Sequence, residues 1–178
     1  KPNVGKSTLF NRLVGKPKSI VSSIEGVTRD RVYGTFDWLN KEYELIDTGG
    51  YIPKNKNDIN KQVKIQAEIA AHSSNLILFL IDGKNGISTN DQILADNIKK
   101  IGKPCVLVIN KMDTLNDQKE SYKYYELGVG EPVCVSSESG RQVGLLLDKI
   151  NSFFSDDNYN IQSNHDISLA VIGMPNVG

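Results

Sequence analysis

A three-layer α/β fold with a mostly parallel sheet is the architecture this sequence predicts, and two observations point to it. Short β-rich runs alternate with stretches of helical period along most of the 178 residues. Two of those runs, "NLILFLID" at 75–82 and "CVLVIN" at 105–110, are apolar almost without a break, the pattern of parallel strands covered on both faces. Crossovers between such strands are right-handed.

The elements follow in order. A helix begins at 7–15. "RVYGTFDWL" and "EYELIDT" flank "NK" and read as an antiparallel hairpin, with strands near 32–40 and 42–47. Residues 58–72 carry Ile59, Val63, Gln66 and Ile69 at a three-to-four spacing and predict a second helix. After the strand at 75–82, a helix at 90–101 puts Ile93, Leu94, Ile98 and Ile101 on one stripe. The strand at 105–110 leads to a helix at 117–127, a strand at 132–135, and a helix at 141–154 with Val143, Leu146, Leu147 and Ile150. "SDDNYNIQSNHD" at 155–166 is polar and aperiodic, as a linker is. "ISLAVIG" then has the pattern of a buried strand and runs into "MPNVG".

Composition narrows the function classes. Lys plus Arg equal Asp plus Glu at 21 each, so no bulk charge draws the chain to nucleic acid or to a membrane, although a local basic patch stays open. The longest apolar run, "LILFLI" at 76–81, is far too short to span a bilayer, and no signal-peptide pattern is visible. Cys105 and Cys134 each sit in an apolar run, which suggests reduced, buried thiols and a cytoplasmic setting. The cysteines, His72 and His165 lack metal-ligand spacing. The chain starts inside a motif and without Met, and the expectation is of part of a longer protein.

That motif is a phosphate loop, which reads G-x-x-x-x-G-K-[ST]. "KPNVGKST" supplies all of it but the first glycine, so residues Asn3, Val4, Gly5, Lys6, Ser7 and Thr8 are nucleotide-binding candidates. Gly5 lets the backbone turn its N–H groups toward phosphate, Lys6 reaches the β- and γ-phosphates, and Ser7 offers a hydroxyl to Mg²⁺. "DTGG" at 47–50 follows a strand. Asp47 is placed to hold the Mg²⁺ shell through water, and Gly50 can give its N–H to a γ-phosphate. "NKMD" at 110–113 stands at the carboxyl end of "CVLVI", where α/β sheets bind ligands. Asp113 can accept from the N1–H and exocyclic amine of guanine, a donor pair adenine lacks, which disfavours an ATPase. Asn110 can bond the acceptor side of the base and brace the loop, and the stem of Lys111 can lie over the purine. "SSE", Ser136, Ser137 and Glu138, follows the last strand of this set and fits a backbone clamp on the base oxygen.

In these residues the chain resembles the translation-factor-related class of GTPases. More narrowly, "PNVGKSTLFNRLVG", "GVTRDR", "LIDTGG", "NKMD" and "GEPVCVSSESG" are similar to the first GTP-binding domain of the bacterial tandem-domain GTPases in the TrmE-Era-EngA-like family. The resemblance implies a P-loop NTPase fold of the G-domain type. It also implies a GTP-hydrolysing switch with GTP or GDP and Mg²⁺, acting in assembly of the large ribosomal subunit. The rival reading is a nucleotide-responsive regulatory module with little hydrolysis of its own. Thr28 in "GVTRD" would be the switch threonine that closes over Mg²⁺ and the γ-phosphate, acting with Lys6 and Gly50 in catalysis. Where many GTPases carry a water-positioning glutamine this chain has Tyr51, and Asn3 occupies the place of an asparagine that helps bind K⁺ in relatives with such a replacement. The intact protein is expected to be a monomer with no membrane partner.

The same resemblance divides the chain into a first GTPase domain at 1–154 without its first strand, a linker at 155–166, and the first strand and partial P-loop of a second GTPase domain at 167–178. The first strand of such a domain lies between those at 42–47 and 75–82. Two placements are open for 167–172: in that slot, with Gly173 standing for the first glycine of the loop, or in a separate second domain.

Overall fold

The computed structural model describes residues 4–15, 20–22, 31–47, 73–155 and 167–174. The helix expected at 58–72 and the candidates Asn3, Thr28, Gly50 and Tyr51 lie outside them. The elements are α1 (Lys6–Val14), β1 (Ile20–Ser22), β2 (Arg31–Trp38), β3 (Lys41–Asp47), β4 (Leu76–Asp82), α2 (Thr89–Ile101), β5 (Cys105–Asn110), α3 (Leu115–Lys119), a 3₁₀ helix (Ser121–Leu127), β6 (Pro132–Cys134), α4 (Val143–Ser152) and β7 (Ile167–Gly173).

The strands form one sheet in the order β1-β2-β3-β7-β4-β5-β6. β3 through β6 run parallel, and β2 and β1 add an antiparallel edge. Alternate residues of β4 face opposite layers, as strand pleating requires. Leu76, Leu78 and Leu80 pack with Leu9, Phe10, Leu13, Leu146 and Ile150 of α1 and α4. Ile77, Phe79 and Ile81 pack with Leu94 and Ile98 of α2 and Tyr124 and Leu127 of the 3₁₀ helix. Helices on both faces of a mostly parallel sheet make the three layers.

β7 lies in the slot between β3 and β4, with Leu45 opposite Leu169 and Leu78 opposite Val171. Its Leu169, Ala170 and Val171 are fully buried, which suits "SLAVI" to a strand covered on both faces. Gly173 is required at its end, because a Cβ there would stand 2.7 Å from the Leu80 carbonyl oxygen and 3.1 Å from Val4.

Three elements differ from the sequence reading. The hairpin turns on Leu39 and Asn40, at φ 49° and 62°, with Trp38 opposite Lys41, so the two-residue loop is "LN" and not "NK". Two positive-φ residues match the right-handed twist of the flanking strands. The helix expected at 117–127 is split into α3 and the 3₁₀ helix. Three residues per turn eclipse Tyr124 over Leu127, both buried, and leave Tyr122 and Tyr125 in solvent. β1 is an edge strand that no apolar alternation announced. Cys134 is buried, whereas Cys105 is half-buried; desolvation still pushes the Cys105 thiol up to about 12.

Candidate functional site

The carboxyl ends of β7, β4 and β5 and the start of α1 meet at one edge of the sheet. α1 begins without a side-chain cap, on Gly5 at φ 87°. That conformation and the approach of Asn110 leave no room for a side chain, since a Cβ on Gly5 would stand 2.2 Å from Asn110 Nδ2. Ser7 and Thr8 are exposed in the first turn, where backbone N–H groups lack helical acceptors and favour an anion. Val4 packs its side chain into the core, so what it offers the site is its backbone.

Lys6 is buried and donates from Nζ to the carbonyl oxygens of Gly173 at 3.1 Å and Met174 at 3.4 Å. Burial holds its ammonium pKa below the usual lysine value, and the nearby charge of Asp47, at the end of β3, works against that. The hydroxyl of Ser7 and the carboxylate of Asp47 are hard oxygen donors. Such a set suits Mg²⁺, which takes one or two protein ligands and completes its shell with water and phosphate.

Asn110 sits at the hub. Its Nδ2 donates to Val4 O at 2.7 Å, and its Oδ1 accepts from Ser137 N at 2.9 Å and Ser137 Oγ at 2.8 Å. Phosphate loop and "SSE" loop are thereby locked together through one side chain. Lys111 follows at φ 65°, a left-handed conformation that a lysine adopts only where its surroundings demand it. Met112 N donates to Val135 O at 3.0 Å and tethers the "NKMD" turn to the end of β6.

A cavity of about 140 Å³ opens between these loops, lined by Gly5, Thr8, Asn110, Lys111, Asp113, Ser136, Ser137 and Glu138, together with Lys84. That is roughly ten times the ~10–15 Å³ that a single water requires. Ser7, in the first turn of α1, and Asp47, at the end of β3, lie outside this lining.

The loop after β4 went unnoticed in the sequence. Asp82 pairs in register with Asn110. Its carboxylate accepts from Lys84 N at 2.9 Å, Asn85 Nδ2 at 2.8 Å and Lys111 Nζ at 2.5 Å. Lys84 Nζ reaches Asp113 Oδ2 at 2.5 Å. That hydrogen bond, and then one from Ser136, hold the Asp113 carboxyl below the usual carboxylate range. Gly83 must be glycine, because a Cβ would stand 2.4 Å from Met112 Sδ and 2.8 Å from Asn110 O. The signal available in the sequence was position: "DGKNG" ends the strand beside the one that ends in "NKMD". Arg12 and Arg141 were also missed. Arg12 donates to the Ser137 and Glu138 carbonyls, and Arg141 donates to Asp113 O at 3.4 Å.

Residues 1–111 match the family model described as 50S ribosome-binding GTPase. Among curated proteins, the chain is 46% identical to GTPase Der of Clostridium botulinum (strain Langeland) over all of its 178 residues. It is equally similar to GTPase Der of Clostridium perfringens (strain SM101), at 46% identity over the full chain. The chain spans about 40% of the length of these relatives. Among solved structures, Era in complex with MgGDPNP and a fragment of 16S ribosomal RNA aligns with a TM-score of 0.64 at 33% identity, covering 86% of this chain and 54% of that one. The cytosolic domain of the T. maritima FeoB iron transporter aligns with a TM-score of 0.65 at 24% identity, over 93% of this chain and 63% of that one, a likeness of fold alone.

Proposed function

The chain belongs to the 50S ribosome-binding GTPase family, and from that premise we propose that it binds GTP and hydrolyses it to GDP and phosphate as a molecular switch. The observation that carries the reading is the junction at Asn110, which joins a phosphate loop to a base-sized cavity containing Asp113. Backbone N–H groups of Gly5 through Thr8 and the Lys6 ammonium bind the phosphates. For Lys6 this means exchanging the Gly173 and Met174 carbonyls for phosphate oxygens. Asp113 accepts from the N1–H and amine of guanine, Lys111 covers the ring, and the Ser136–Glu138 loop meets the base oxygen.

Ser7 and Asp47 would hold Mg²⁺, joined by Thr28. When bound, the ion neutralises charge on the phosphates. Era in complex with MgGDPNP supports this reading by likeness of fold. Thr28 and Gly50 order the loops around the γ-phosphate, and hydrolysis releases them. Tyr51 has no side-chain amide to orient water. K⁺, bound with help from Asn3, would make up for that lack by offsetting charge that develops between the β- and γ-phosphates. The same residue, Tyr51, favours the second reading, a nucleotide-responsive regulatory module with slow turnover.

In the whole protein 1–154 would be a first GTPase domain and 155–166 a linker, and 167–178 would by sequence be the beginning of a second, its strand here completing the sheet of the first between β3 and β4. The protein would be a cytoplasmic monomer acting in assembly of the large ribosomal subunit. Among the described residues no helix is long and apolar enough to cross a membrane. Displacement of fluorescent GDP by GTP but not by ATP tests the base assignment, and equal competition by ATP would sink it. Single-turnover hydrolysis in KCl and NaCl at equal ionic strength tests the rest. Faster hydrolysis in KCl supports the K⁺ assignment, equal rates reject it, and no hydrolysis in either favours the regulatory module.

A further inference from the structure

We infer that Arg12, on the phosphate-binding helix, is a positioning residue for base recognition: it aims the Glu138 N–H into the base cavity. The inference rests on the guanine-nucleotide reading above and adds a residue to it.

Arg12 Nε donates to Ser137 O and Nη2 donates to Glu138 O, so one planar guanidinium holds two successive peptide groups. No peptide among the described residues is cis. In a trans peptide the carbonyl and the N–H point in opposite directions. With the Ser137 oxygen turned to Arg12, the N–H of the same peptide, that of Glu138, is turned away from it, and both Ser137 and Glu138 line the cavity. The next peptide is fixed as well, for Ser139 N donates to Ser136 Oγ at 3.2 Å. On the opposite side Asn110 Oδ1 takes both the N–H and the hydroxyl of Ser137. The loop is gripped from α1 and from β5, and its one peptide between those grips presents a donor to the ligand. Gly140 admits the guanidinium, since a Cβ there, at φ 84°, would stand 2.9 Å from Arg12 Nη1.

A fixed N–H beside an ionised Asp113 reads one chemical pattern: a purine with a carbonyl oxygen next to an N–H. The carboxylate takes the donors, and the peptide N–H takes the oxygen and opposes an amino group in its place. A lysine at position 12 would keep the charge but could not hold two carbonyls in one plane.

The test compares GDP with 6-thio-GDP, which keeps the donors for Asp113 and replaces the oxygen by sulfur, a weak acceptor. Both compete with fluorescent GDP for the full chain and for Arg12→Ala, Arg12→Lys and Gly140→Ala. The parent is expected to prefer GDP. In the variants GDP weakens on the order of tenfold, the upper scale of one lost hydrogen bond between a peptide N–H and a carbonyl oxygen. 6-Thio-GDP changes little, and the preference collapses toward one. Thermal melting shows that each variant is folded; should Arg12→Ala fail to fold, Arg12→Lys decides. Equal weakening of both ligands with the parental preference intact overturns the inference, as does a parent that binds both alike. A parent that binds neither overturns the guanine-nucleotide reading instead.

Discussion

Asn110 commits both ends of its amide to protein partners, Val4 O on one side and Ser137 on the other, and all three residues are buried. Asp113 is 38% exposed at the rim, with Lys84 as its ion-pair partner. The two motif residues therefore differ in kind. Asn110→Ala orphans a buried carbonyl and a buried N–H, and is expected to cost about 2–3 kcal/mol of stability in urea unfolding. Asp113→Ala is expected to cost less than about 1 kcal/mol. Both should abolish GDP binding. Equal stability losses would show that Asn110 is not the brace.

The Lys84–Asp113 contact has a pH consequence. A carboxyl held below its usual range keeps its charge, and with it its acceptor oxygens, until the pH falls through that lowered value. Lys84→Met removes the largest cause. Relative to its own value at neutral pH, GDP affinity in the variant should begin to fall at a higher pH than in the parent. Fluorescent-GDP titrations across acid pH measure this, and superimposable profiles would sink it.

Among the elements, those with long apolar stripes were legible in the sequence: β4 and β5 bury their apolar runs, α2 buries Leu94 and Ile98 with Ile93 and Ile101 half-buried, and α4 buries Val143, Leu146 and Ile150 with Leu147 half-buried. α2 was legible from its periodicity alone, and the structure adds a capping box of Ser88 and Asp91 at its start. The 3₁₀ helix was not, because its apolar residues fit either period and only the packing of Tyr124 and Leu127 under the sheet selects the tighter one. The hairpin loop misled by one residue because Leu39 is a poor resident of a left-handed position. It is exposed, so no burial compensates for that strain. Leu39→Asn is therefore expected to raise stability by about 0.5–1 kcal/mol, read from the urea midpoint. An unchanged or lower midpoint would contradict the assigned turn.

For the whole molecule the deciding element is β7, the central strand and yet the last in the chain. It closes two parallel ladders, one against β3 and one against β4. Without it both neighbours would present open edges and both core layers would lose their middle. A chain ending at Ser155 is expected to lose cooperative unfolding and to aggregate. Leu169→Ala, which empties a fully buried position, should cost about 2–5 kcal/mol. A truncated chain that stays monomeric and melts cooperatively would refute the central role of the strand.

The sequence by itself determined the alternation of strands and helices and the chemistry of the loops, because hydrophobic period and motif spacing are local properties of the chain. It also marked "ISLAVIG" as a buried strand. Only the tertiary structure decided where that strand lies. It alone also revealed that Asn110 joins two loops, that "DGKNG" completes the cavity wall, and that Arg12 grips the "SSE" loop. Each of those facts depends on partners far apart in the chain: 106 residues between Asn110 and Val4, 125 between Arg12 and Ser137, 167 between Lys6 and Gly173. No periodicity records a contact at that range. It follows from how layers pack, and that depends on every element at once.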